Sequence, residues 1–219
     1  MNKIKAVFIY TLICIFIFGV SVYADDEEID EIDNILEVVE AVSRIDEMPS
    51  INSRASVIYD RNSKNVIYEK EAYSKRKMAS TTKIMTAIIV IEKSNLSDTV
   101  IVSKKAAGTG GSRVGLKTGD KISVNDLLYG LMLKSGNDAA VALAEYVGGS
   151  VEGFADMMNN KAEEIGLKNT HFVTPHGLDN DDHYCTAHEL ACMADYALKN
   201  ETFSNIVKTK SCTIYINGN

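Results

Sequence analysis

Residues 78–92, MASTTKIMTAIIVIE, form an almost unbroken apolar run that holds one ammonium group, Lys83, three residues after Ser80. The run predicts a helix over about residues 80–93, on which Ser80 and Lys83 project from the same face one turn apart. A lysine in apolar surroundings near a helix N-terminus loses hydration and faces the positive end of the macrodipole, so its pKa falls and a neutral amine comes within reach. Such an amine is a base suited to activating Ser80, and the helix N-terminus favours the negative charge that develops on attack. A serine that only caps a helix and a lysine that snorkels to water would show the same S-x-x-K spacing, so by itself the motif is weak.

A second element strengthens it. SGN at 135–137 follows Lys83 by 52 residues and sits at a break between two helical patterns, where short polar side chains can point into a cleft. Ser135 is placed to relay a proton to a leaving amine and Asn137 to hydrogen-bond a substrate amide.

Around these elements the chain reads as strands, then helices, then strands resuming. Two β-rich runs, residues 55–59 and 65–68, flank the polar DRNSKN and predict a hairpin. A glycine-rich loop is expected over 106–121. Ser123 and Asp126 form a capping box ahead of VNDLLYGLMLK, and a second helix runs from DAAVALAEYV to Gly148 and Gly149. Ser150 starts a helix with Phe154, Met157, Met158, Ala162 and Ile165 as its inward stripe and Gly166 as its stop. Thr186 and Glu189 cap a last helix ending near Lys199, and CTIYI at 212–216 reads as β-rich. This layout predicts an α/β or α+β domain whose sheet is shared between its two ends.

The 219 residues and 46% hydrophobic content suffice for one sizeable domain. Residues 1–24 carry Lys3 and Lys5, an uncharged apolar stretch of ~15 residues and then Val22 and Ala24, the pattern of a signal peptide cleaved after Ala24. A retained membrane anchor is the alternative, for which the apolar core is short. Ile13 before Cys14 argues against a lipid-attachment cysteine. Residues 25–47 hold 11 acids and one arginine, whereas residues 48–219 carry 20 basic and 19 acidic groups, so the acidity belongs to a tail. That tail reads as a solvated spacer, or as an amphipathic helix presenting Ile29, Ile32, Leu36 and Val39. No basic patch with interleaved aromatics stands out, which argues against nucleic acid. After processing, Cys185, Cys192 and Cys212 permit at most one internal disulfide.

The set S-x-x-K then S-x-N resembles the penicillin-recognising serine enzymes. The wider wording, MASTTKIMTA, DLLYGLMLKSGNDAAVALAEYVGGS and FADMMNNKAEEIGLKNTHFVTPHGLDNDDHYCTAHELA, is similar to the D-alanyl-D-alanine carboxypeptidases, the low-molecular-mass penicillin-binding proteins of bacterial cell walls. The resemblance covers the chain from about Arg54 onward. It implies a β-lactamase/transpeptidase-like fold, an antiparallel sheet flanked by helices, with the nucleophile at the head of a central helix. It also implies that Ser80 is the acyl-ester nucleophile, Lys83 the general base, Ser135 the second active serine and Asn137 the substrate-binding residue. The implied substrate is a peptidoglycan stem peptide, with β-lactams as covalent inhibitors, no cofactor, an extracytoplasmic location and peripheral membrane association of a full-length form. Met78 stands where a proline is common and Cys185 where a serine is usual.

The family's third element, K-T-G on an active-site strand, has a match at 117–119, but it precedes SGN by 18 residues and sits in a loop. The expectation is that this match is fortuitous and that the chain stops before the true strand, which supplies a cation and half of the oxyanion hole. Losing one such donor costs about 3 kcal/mol of transition-state stabilisation, so a catalytically impaired fragment or pseudoenzyme is the alternative. A class A β-lactamase fits less well, because no separate deacylating glutamate is evident.

His183, Cys185, His188 and Cys192 cluster in sequence, yet Cys192 replaces the second histidine of H-E-x-x-H, and no metal is expected. His171 and His176 lack a G-x-S-x-G partner for a serine-histidine triad, and TPHGL is expected to shape a cleft wall.

Overall fold

The computed structural model describes residues 51–178 and 180–218. The expected signal peptide and acidic tail lie outside the described residues. The chain divides into two units, Met1–Asn52 and Ser53–Asn219, and every element named below belongs to the second.

The predicted hairpin is present. β1 (Ser56–Tyr59) pairs antiparallel with β2 (Val66–Lys70), Val57 opposite Glu69, with a register shift between Ile58 and Tyr59. Its turn closes because Asp60 accepts from the Asn62 amide at 2.9 Å and the Ser63 hydroxyl at 2.6 Å, while Lys64 takes the left-handed conformation, φ 63°. Arg61 and Lys64 then reach Asp195 at 2.8 and 2.9 Å, fastening the turn to a distant helix.

A 3-10 turn, Ala79–Thr82, leads into α1 (Lys83–Lys93). Met85, Thr86, Ala87, Ile88, Ile89 and Val90 are all buried, so this helix is covered on every face, as its all-round apolar composition requires. It contacts α3 (Val124–Leu133), α4 (Asn137–Gly148), α5 (Val151–Glu164), α6 (Ala187–Ala197) and α7 (Glu201–Val207). The core around it includes Leu127, Leu128, Leu131, Leu143, Phe154, Met158, Phe172 and Met193.

The caps read from the sequence form. Ser123, Ser150 and Thr186 accept from the amides of Asp126, Gly153 and Glu189, each satisfying an orphan donor of a first turn. Gly149 ends α4 at φ 72°. Glu189 does not complete a capping box, however. Its carboxylate accepts from the Lys168 and Asn169 amides and the Thr170 hydroxyl, pinning the chain that follows α5.

Four elements go beyond the sequence pattern. β3 (Thr99–Ile101) pairs antiparallel with β4 (Lys121–Ser123), and the short α2 (Lys104–Ala107) takes the first residues of the expected glycine-rich loop. α7 follows the helix expected to be last, capped by Asn200 through the Phe203 amide. The late β-rich run corrects the other way: only Ile216 bridges, to Ile122, and Asn217, at φ 58°, occupies both edge groups of Lys121 at 2.8 Å. β-propensity without a neighbouring strand makes no ladder. Among the described residues the strands form two separate two-stranded ladders, not one sheet shared between the ends.

Candidate active site

Ser80 is exposed on the 3-10 turn, one turn ahead of the α-helix proper, and Lys83 is the first residue of α1, 2% exposed. Ala79, just before Ser80, is left-handed at φ 46°. The Lys83 amine lies 3.2 Å from Ser80 Oγ, 2.8 Å from Asn137 Oδ1 and 2.9 Å from the carbonyl oxygen of His176. Burial lowers its pKa from 10.5 to about 8.

This geometry has a chemical consequence. A neutral amine keeps two N–H donors and one lone pair. Two of its three neighbours, the amide oxygen of Asn137 and the carbonyl of His176, can only accept. They take the two N–H groups, and the lone pair is left for the hydroxyl proton of Ser80. The arrangement orients the amine, in its neutral form, as well as burying it.

Asn137 is the first residue of α4 and 4% exposed. Its Nδ2 donates to the Gly110 carbonyl at 2.8 Å and its backbone amide to the Ser112 carbonyl at 2.8 Å, so both ends of its side chain are engaged, one with Lys83 and one with the glycine-rich loop. Ser135 is half-buried in the break between α3 and α4, at φ 55°, two residues from Asn137. The structure thus joins Ser80, Lys83 and Asn137 in one hydrogen-bonded cluster and sets Ser135 on the loop that delivers Asn137.

The loop itself is anchored by Asp138, fully buried, whose carboxylate accepts from the amides of Val114 (2.9 Å), Gly115 (2.8 Å) and Leu116 (3.0 Å). Asp138→Ala strands three loop amides and is expected to cost about 3 kcal/mol in urea unfolding. A loss under about 1 kcal/mol would show the loop to be held by other means.

His176 and Gly177 do more than shape a cleft wall. The His176 carbonyl completes the lysine cradle, and Gly177, at φ 82°, packs so closely on Ala79 that a Cβ would stand 1.8 Å from the Ala79 oxygen. Burial, with the Lys83 charge adding, lowers the His176 imidazole to about 4.

K-T-G at 117–119 lies in the turn entering β4, not on a strand; Gly119 donates to the Val102 carbonyl and Lys117 to Asp120. Of the sequence cluster of histidines and cysteines only His188 and Cys192 stay together, Nδ1 and Sγ 3.9 Å apart. His183 turns inward to Thr82, Cys185 bonds Thr170 and Thr186, and His188 lies near the rings of Tyr59 and Tyr73. Among the described residues no three His, Cys, Asp or Glu side chains converge on one point, and Cys185, Cys192 and Cys212 are free thiols.

Comparison with known proteins matches residues 42–218 to the D-alanyl-D-alanine carboxypeptidase model of peptidase family S11. The D-alanyl-D-alanine carboxypeptidase DacF of Bacillus subtilis is 40% identical over 162 residues, 72% of this chain and 42% of that protein. DacC of Escherichia coli is 44% identical over 158 residues, 67% of this chain and 40% of that one. The crystal structure of Escherichia coli penicillin binding protein 6B superimposes with a TM-score of 0.72 at 35% identity, covering 76% of this chain and 56% of that one. The chain therefore spans about two fifths of the length of these curated relatives.

Proposed function

We propose that this chain, which belongs to the D-alanyl-D-alanine carboxypeptidase family, carries the acyl-transfer site of a serine carboxypeptidase acting on peptidoglycan stem peptides. One observation carries the reading: the Lys83 amine is held by two carbonyl-type acceptors with its remaining position facing Ser80 Oγ. Ser80 attacks the carbonyl carbon of the penultimate D-alanine as its proton passes to Lys83. The tetrahedral adduct collapses, the C–N bond to the terminal D-alanine breaks, and Ser135 relays the proton to the departing amine. Water then cleaves the ester, returning the serine and a shortened peptide. Asn137 holds Lys83 in line through Oδ1 and serves as the substrate-binding residue beside it. Work on stem peptides places the enzyme outside the cytoplasm, in keeping with the expected export signal. A β-lactam presents the same acyl carbonyl but keeps its leaving amine tethered, so it stays on Ser80.

The test is labelling of the purified chain with fluorescent penicillin. A covalent, SDS-resistant band that disappears in Ser80→Ala is expected. A folded chain that takes no label, or takes it equally without the serine hydroxyl, would overturn the proposal. Rapid turnover of penicillin would point instead to a β-lactamase.

A further inference from the structure

The 3-10 turn bearing Ser80 has no side-chain cap at Met78. It is fastened from within by Thr82, fully buried, whose Oγ1 lies 2.7 Å from Nε2 of His183. His183 is 2% exposed, in the segment between α5 and α6. Its other nitrogen, Nδ1, accepts from the amide of Val173 at 3.0 Å and faces that of Thr174 at 3.4 Å. A neutral imidazole that accepts at Nδ1 carries its proton on Nε2, so His183 donates to Thr82. Burial, with His171 adding, lowers its pKa to about 4, and the Phe172 ring meets it edge-on. One ring therefore spans the catalytic turn and the segment 173–176. That segment gives its Pro175 carbonyl to Thr86 at 2.7 Å and its His176 carbonyl to Lys83 at 2.9 Å.

We infer that His183 is a positioning residue for acyl transfer: its Nε2–H holds Thr82, and with it the Ser80–Lys83 turn, at a set distance from the His176 carbonyl that orients the lysine amine. The inference rests on Ser80 and Lys83 as nucleophile and base. The ring touches no reacting atom and acts through Thr82 on one side and Val173 on the other. Separating these bonds separates positioning from packing. Glutamine can place an N–H near ring Nε2, whereas asparagine places an oxygen near Nδ1 and cannot reach Thr82. Lys83 itself faces Ser80, Asn137 and the neutral His176, so any widening of its cradle lets water in and raises its pKa.

The experiment measures acylation by fluorescent penicillin from about pH 6 to about pH 10, with thermal unfolding, for wild type, His183→Gln, His183→Asn, Thr82→Val and the His183→Asn/Thr82→Val pair. His183→Gln is expected within about threefold of wild type, with its pH midpoint unmoved. His183→Asn and Thr82→Val are each expected to slow acylation about tenfold and raise the midpoint, with the pair no slower than either alone. Equal rates for the glutamine and asparagine variants, or losses that follow unfolding temperature with an unmoved midpoint, would overturn the inference. If wild type itself takes no label, the Ser80 reading fails separately. The hold on the turn is then decided by 15N spectra of His183: an Nε2–H tautomer lost from Thr82 coupling in Thr82→Val supports it, and an Nδ1–H tautomer refutes it.

Discussion

Replacing Lys83 by methionine is expected to slow acylation by penicillin about a thousandfold, because the amine that lies 3.2 Å from Ser80 Oγ, the proposed base, is removed while the side-chain volume stays nearly the same. Lys83→Arg is expected to be as slow. Guanidinium keeps the positive charge but does not release a proton, so this variant separates a base from a mere cation. In wild type the rate should climb about tenfold per pH unit below about 8 and level off above it, following the population of neutral amine. Stability carries the same signature. The folded pKa, about 8, lies below the ordinary lysine value of 10.5, so between these limits the unfolded chain binds more protons and unfolding free energy rises with pH. The difference between wild type and Lys83→Met should therefore shift in favour of wild type as pH rises through that window, and stay constant below it. A flat rate profile from pH 6 to 10, or an active arginine variant, would sink the role of Lys83 as base.

The second large effect is expected from a single methyl group. In Gly177→Ala the new Cβ would lie 1.8 Å from the oxygen of Ala79 and 2.6 Å from Thr82 Oγ1, at a backbone φ of 82° that suits glycine. Relief requires moving backbone on one side or the other, and the side that moves carries either Ser80 or the His176 carbonyl. A cost of about 4 kcal/mol in unfolding free energy is expected, with acylation falling about a hundredfold even where the protein remains folded. Gly166, at φ 80° with nothing near its Cβ position, is the control: Gly166→Ala should lose only about 1 kcal/mol and leave labelling intact. If Gly177→Ala behaves like Gly166→Ala, the contact between the TPHG segment and the turn bearing Ser80 is looser than these distances imply.

The helices opened by Ser123, Ser150 and Thr186 were readable because each combines an apolar stripe with a polar start. Ser150 and the stripe of Phe154, Met158 and Ala162 define α5 before any tertiary contact is considered, and each of these three is buried. β3 and β4 carry no comparable signal. They are three residues long, with one buried residue apiece, Val100 and Ile122, and they exist because they pair with each other. α7 was passed over for a similar reason, since only Phe203 and Ile206 of its seven residues are buried. CTIYI shows the reverse error, strong β-propensity with a single bridge to support it.

The site divides along the same line. Ser80 and Lys83 are three residues apart, and a helical turn brings them together wherever that turn forms, so their partnership is a local property written in the order of residues. Local periodicity likewise places Lys83 among apolar neighbours. The acceptors that orient the amine come from residues 54 and 93 positions further along the chain. One of them is the backbone carbonyl of His176, a group that every residue possesses and that no spacing can single out. Folding alone selects it, through Gly177 against Ala79 and His183 against Thr82, because contacts between distant segments depend on shape and packing that no short stretch of residues encodes.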